Sequence, residues 1–168
     1  MHATGFAFQI PNLIRKEKLY QYSIDKVSYS SYTNRFSVHD IRIIPNFNKE
    51  KHQKQVGFQS DYFEGKIDSV IIGQPDIRKW FEKEIISGKY MSVNGLLLDI
   101  YRDKRLPFDD NRRPKMLQDL IKTTKYPFIL DSFKLVNSSI NYSEQSQSGE
   151  TEGRLRFSGI QARLMPFS

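Results

Sequence analysis

The feature that most limits how this chain can fold is an alternation of apolar and polar residues with period two, recurring along most of its length. Phe6, Phe8 and Ile10 point one way while Ala7 and Gln9 point the other, and Tyr20, Tyr22 and Ile24 repeat the pattern. Phe36 and Val38 precede Ile41 and Ile43, Ile67 precedes Val70-Ile71-Ile72, and Met91 and Val93 precede Leu96, Leu98 and Ile100. Further on, Phe133 and Leu135 precede Ile140 and Tyr142, and Leu155 and Phe157 precede Ile160, Ala162 and Leu164. Successive side chains of an extended chain take opposite faces, so each run predicts a strand with one apolar and one wet face. In several runs the parity changes midway: between Ile24 and Val27, around Asp40, and at Gly95. A parity change predicts a β-bulge, which glycine accommodates most easily.

The strands are long. Tyr90 to Tyr101 would span about 40 Å at about 3.3 Å per residue, roughly twice the usual length. Polar connections separate them at Asn46–Lys54, Arg102–Pro114 and Ser143–Gly153, the last reading as a hairpin loop. Two short helices interrupt the pattern. Ile77, Trp80, Phe81 and Ile85 recur at helical spacing with Gly88 as the stop, and Pro114 opens a second stripe of Met116, Leu117, Leu120 and Ile121. The expected fold class is mainly β, a long curved antiparallel sheet with two short helices. So little helix cannot cover so many apolar strand faces. The sheet must close into a barrel, pair with a second sheet, or keep an apolar surface open for something else. Long strands and sparse helices favour an open groove.

Composition removes several function classes. No stretch approaches the ~20 apolar residues of a membrane-spanning helix, and Met1–Ile10 lacks the cationic and apolar regions of a secretory signal. The absence of cysteine excludes disulfides, thiolate metal sites and a cysteine nucleophile. His2, His39 and His52 form no HxH or HxxxH spacing, so no imidazole metal site is expected. Catalytic motifs such as GxSxG, a Walker loop or GxGxxG are missing. The pair Asp109-Asp110 sits in a loop rich in Arg and Pro and reads as solvated turn residues. The expectation is a protein that is not an enzyme, with no cofactor and no metal.

A net charge of +7 requires nucleic-acid binding to be weighed. Basic residues cluster at Arg15–Lys18, Lys49–Lys54, Arg102–Arg105 and Arg112–Lys115, but three of these four clusters contain an acid. The aromatics lie mostly in the apolar phase of strands rather than between the basic residues, where they could stack on bases. A solvated basic rim, which would also suit anionic phospholipid headgroups, is preferred, and no nucleic-acid partner is expected. Two N-glycosylation sequons, at Asn137 and Asn141, fall inside a predicted strand and read as chance matches.

Three stretches together resemble the AsmA-like proteins of bacterial envelopes, relatives of the bridge-like lipid-transfer proteins built from repeating β-groove units. The first, Ile67-Asp68-Ser69-Val70-Ile71-Ile72-Gly73-Gln74-Pro75-Asp76-Ile77, is a strand leading into a short helix. The second, Leu96 to Phe108, contains a strand ending in an Arg102-Asp103-Lys104 turn. The third, Phe133 to Glu144, reads as strand, Asn137, small residue, strand and Tyr142-Ser143-Glu144, followed by a polar hairpin and Gly153-Arg154-Leu155-Arg156-Phe157. The resemblance spans roughly residues 20 to 164. It implies a curved antiparallel sheet with an apolar concave face, modules that stack end to end, and a role in housing or passing phospholipid acyl chains between the membranes of a diderm envelope, or in outer-membrane assembly. Family members carry an N-terminal membrane anchor and many more residues. The resemblance therefore implies that residues 1–168 are one β-groove module of a longer protein, reaching the membrane through an anchor or partner outside this sequence, with the periplasm as its location.

On such a surface the expected lipid-facing residues are Leu96, Leu98, Ile100, Phe133, Leu135, Ile140, Tyr142, Leu155 and Phe157. An acyl chain leaving water gains about 0.8 kcal/mol per buried CH₂, so even a partly covered trough could hold lipid reversibly. The main rival is a closed β-sandwich in which the same residues pack a core and the domain serves as a scaffold or protein-interaction module.

Overall fold

The computed structural model describes residues 5–109 and 127–165. Over these residues the chain is mainly β, an eight-stranded sheet with two short helices. The strands are β1 (Ala7–Lys16), β2 (Tyr20–Ser30), β3 (Arg35–Pro45), β4 (Asp61–Gly73), β5 (Ile86–Asn94), β6 (Leu97–Asp103), β7 (Phe128–Gln145) and β8 (Glu152–Leu164). Helix α1 (Lys49–Val56) follows β3, and α2 (Ile77–Lys83) follows β4.

β5 and β6 are two halves of one column. β5 pairs with β4 at residues 69–73 and β6 with β4 at residues 61–66, while both continue side by side against β7. The backbone carries the column across the gap, because Gly95 N–H donates to Val136 O and Leu96 O accepts from Ser139 N–H. The expected single strand from Tyr90 to Tyr101 is thus present as a column but split at Gly95. Eight strands fill seven columns in chain order, with β1 and β8 as the two edges.

The structure corrects four further expectations. The sheet is not wholly antiparallel, since β7 runs parallel to both β5 and β6. β7 therefore starts at the end of the sheet where β5 began, Phe128 beside Ile86. The polar stretch Asn46–Lys54 is not all loop. Asn48 accepts a hydrogen bond from Lys51 N–H and Gly57 ends the segment in a left-handed conformation (φ 79°), so a capped helix forms there from residues with almost no apolar stripe. Gly88 does not end α2. Glu84 does so in the left-handed region (φ 54°), and Gly88 lies in β5. The hairpin loop is shorter than Ser143–Gly153, because β7 runs to Gln145 and β8 starts at Glu152. The second expected helix, at Met116–Ile121, and Asp110 lie outside the described residues.

Little of this molecule is core. Its accessible surface is 11950 Å², against about 8,600 Å² for a compact chain of this mass. Among the described residues the sheet is a single layer with no second sheet packed on it, so the closed sandwich is not what forms. The buried cluster of Ile72, Met91 and Leu130 lies at one end of the sheet. There Trp80 of α2 packs edge-on against Phe36, ring centroids 4.9 Å apart, and donates its indole N–H to Ser87 O.

Helix α1 docks at the opposite end. His52 is only 1% exposed and sits between the rings of Tyr20 (5.4 Å) and Tyr62 (5.2 Å), with no hydrogen-bond partner for either ring nitrogen among the described residues. Burial pushes its pKa below the ordinary value. The folded protein therefore holds His52 neutral, whereas the unfolded chain takes up a proton below about pH 6.5. This site has no effect on stability at neutral pH and costs up to about 1.4 kcal/mol for each further unit of acidification. Thermal melts should show the midpoint falling as pH is lowered from about 6.5, and His52→Phe, which keeps the ring stack, should flatten that part of the profile. An unchanged acid dependence in the variant would show that α1 docking is not the acid-sensitive element.

Candidate functional site

Residues opposite one another in a ladder share a face, so the registers sort the side chains. Phe8, Tyr29, Phe36, Ile72, Met91, Phe133 and Leu164 form one row across all seven columns. Ile10, Val27, Val38, Val70, Val93, Leu135 and Ala162 form the next. Beyond them come Leu13, Ile24, Ile41 and Ile67, then Tyr22, Ile43, Gly65, Leu98, Ile140 and Phe157, then Phe63, Ile100, Tyr142 and Leu155. Five successive rows are apolar almost without exception. The alternate residues are mostly Ser, Asn, Gln, Lys and Arg, bonded among themselves as in Ser28–Ser37, Asn94–Ser69 and Asn141–Asp99.

Between the second and third rows every strand breaks its alternation. The registers on either side bring Asn12, Asp25, Asp40, Asp68, Gly95 and Asn137 into one line across the sheet. Asn12 (φ 53°), Asp40 (φ 49°), Gly95 (φ 66°) and Asn137 (φ 49°) are left-handed, and Gly159 (φ 64°) takes the same conformation in β8. Asn, Asp and Gly are the residues that tolerate this region. A residue that is not extended resets the side-chain phase, as in a bulge. Because all the columns reset together, pairing is preserved and apolar residues three positions apart, such as Val38 and Ile41, return to the same face. The carboxylates of this line fall on the polar side, where Asp68 pairs with Lys66, and Asn12, Asp25 and Asp40 line an open concavity with Ser23 and Arg42. Among the described residues no acidic or histidine cluster is placed to hold a metal ion.

The apolar face ends on charge. The row after Phe63, Ile100 and Tyr142 is Asp61, Arg102, Glu144 and Gly153. The Arg102 guanidinium donates two hydrogen bonds to the Asp61 carboxylate, at 2.7 and 2.8 Å, and Lys104 pairs with Glu144 at 2.7 Å. Tyr142 lies on the apolar face with its hydroxyl at this border, donating to Glu144 at 2.6 Å. Burial and then that bond push its phenol up to about 12, so it stays neutral and donating across the physiological range.

All nine residues expected to face lipid lie on this one face. Leu98, Ile140 and Phe157 share one row, and Ile100, Tyr142 and Leu155 the next. Leu135 and Phe133 pair with Val93 and Met91, and Leu96 lies in the β5–β6 column between its two strands. The same face continues across β1 to β5. The alternation of those strands was legible, but only the registers show that their apolar sides coincide. The rows span about 29 Å across the columns and about 30 Å along them at ordinary strand spacings, more area than the roughly 300–600 Å² of the largest apolar patch on a typical monomer. α2 covers one end, whereas α1 packs on the opposite face, His52 against Tyr62 and Lys49 over the Tyr101 ring. Among the described residues no element lies over the middle rows, where Val38, Ile41, Ile67, Leu96, Leu98 and Ile140 are half-buried, and toward β8 Leu155 and Phe157 are exposed.

Comparison with protein-family models, with curated proteins and with solved structures finds no match to this chain.

Proposed function

We propose that this chain is a non-enzymatic envelope module of AsmA-like type whose apolar sheet face holds or passes phospholipid acyl chains in the periplasm of a diderm bacterium. The observation that carries the proposal is the set of five apolar rows on one face of the sheet, covered among the described residues only at the α2 end. A face of that extent costs the folded chain solvation free energy unless something apolar lies on it, and acyl chains match its shape without needing specific contacts. A methylene laid on one face loses about half its hydration, worth about 0.4 kcal/mol, so ten such groups contribute about 4 kcal/mol before the cost of association. That supports reversible occupancy, as transfer between membranes requires. The charged row of Asp61, Arg102, Glu144 and Lys104 gives polar headgroups a place at the border of the face. The open edges β1 and β8 leave room for further β-groove modules on either side.

Protein purified without detergent should carry phospholipid that organic extraction and native mass spectrometry both detect. A protein that arrives lipid-free and takes up none from added liposomes would rule the proposal out.

A further inference from the structure

We propose that the α2 end of the sheet is a membrane-docking edge, seating the rings of Phe6, Tyr32 and Phe81 in the interfacial layer of a phospholipid bilayer. These are among the most exposed large apolar residues of the molecule, Phe81 at 83%, Tyr32 at 74% and Phe6 at 60%. Isolated exposed apolar residues are ordinary, but these three belong to one end. Phe6 precedes β1, Tyr32 lies in the β2–β3 turn, and Phe81 is on α2. Phe6 and Ser31 exchange hydrogen bonds in both directions, and Gln74 N–H donates to Asn34 O, which ties the turn to the chain entering α2. Trp80 is turned down onto Phe36, while its neighbour Phe81 is left in solvent.

The choice of a bilayer rests on charge and continuity. Arg78 of α2 pairs with Glu82 and Lys79 with Asp76, which lowers what the helix offers to a polyanion. Aromatic rings flanked by long Lys and Arg side chains suit the boundary between headgroups and acyl chains. Phe6 also packs on Tyr29, ring centroids 5.5 Å apart, and Trp80 on Phe36. Tyr29 and Phe36 belong to the first apolar row, so Phe6 adjoins that face directly and α2, which carries Phe81, adjoins it through Trp80. The identity of the partner rests on the acyl-chain reading of that face; the exposed rings do not.

The test is flotation of the full chain with phosphatidylcholine vesicles, comparing it with a variant carrying Tyr32→Ser and Phe81→Ser. Both sites are in solvent, so circular dichroism should be unchanged. The native chain should float, and the variant should partition about tenfold less or weaker. Raising ionic strength from about 0.1 M to about 1 M, which shortens the screening length about threefold, should leave the native chain bound. Docking is overturned if the variant floats like the native chain, if the native chain ignores protein-free vesicles, or if salt releases it. Co-purified lipid, measured separately by native mass spectrometry, should be equal in both proteins. Carried lipid without flotation would sink docking and leave the groove proposal standing, and flotation without carried lipid would do the reverse.

Discussion

Replacing Leu98 by aspartate should strip the protein of bound phospholipid and leave it folded. Leu98 stands near the middle of the apolar face, paired with Gly65 on one side and Ile140 on the other, in rows that neither helix reaches. In a sealed interior an unpaired carboxylate would cost several kcal/mol and unfold the domain. On a face open to water the new carboxylate keeps much of its hydration, so the loss of stability should be about 1–2 kcal/mol. An acyl chain lying over it would have to desolvate the charge, and lipid retention should fall at least about tenfold. Thermal denaturation and lipid extraction on the same preparation separate the effects. Unfolding of Leu98→Asp would mean that the face is covered. A folded variant with its full complement of lipid would mean that the lipid binds elsewhere.

The largest loss of stability should come from Gly95→Val. Gly95 joins β5 to β6 with φ 66°, and a Cβ there would collide with the Asp68 carboxylate. A β-branched residue in the left-handed region is strained by about 1–2 kcal/mol or more, and displacing Asp68 disturbs the same line of residues on the polar side. The combined cost should be about 3 kcal/mol or more, read as a lower urea midpoint. Asn137→Gly, at φ 49° in the neighbouring strand, should by contrast stay within about 0.5 kcal/mol, since glycine accepts that conformation freely. If Gly95→Val proved as mild as Asn137→Gly, the coordinated reset of the strands would not depend on this residue.

That line of Asn, Asp and Gly shows how far local sequence reaches. The parity changes at Asp40 and Gly95 are visible in the residue pattern, because the apolar phase slips by one within a single strand. That the slips fall in one row is a property of pairing, and nothing within one strand encodes it. Helix α1 was missed for a related reason. Lys49–Val56 carries almost no apolar stripe, so its position depends on the Asn48 cap, the left-handed Gly57 and the burial of His52 between Tyr20 and Tyr62, which come from other parts of the chain. The apolar face is legible from sequence in β6, β7 and β8, where long runs of Leu, Ile and Phe make the apolar phase plain. Its continuation through β1 to β5 is carried by pairs such as Val27–Val38 and Ile41–Ile67, which join one surface only through register.

The order of residues alone determined that this chain makes long strands, each apolar on one side. Those properties follow from side-chain alternation and from local conformational preference. The parallel step at β7, the common row of interruptions, the alignment of every apolar side and the two open edges were decided only by tertiary structure. Each depends on which strands lie beside each other, and backbone hydrogen bonds are the same whatever side chains they join. Register is chosen by the whole sheet at once, and it is register that turns eight separate stripes into one apolar face.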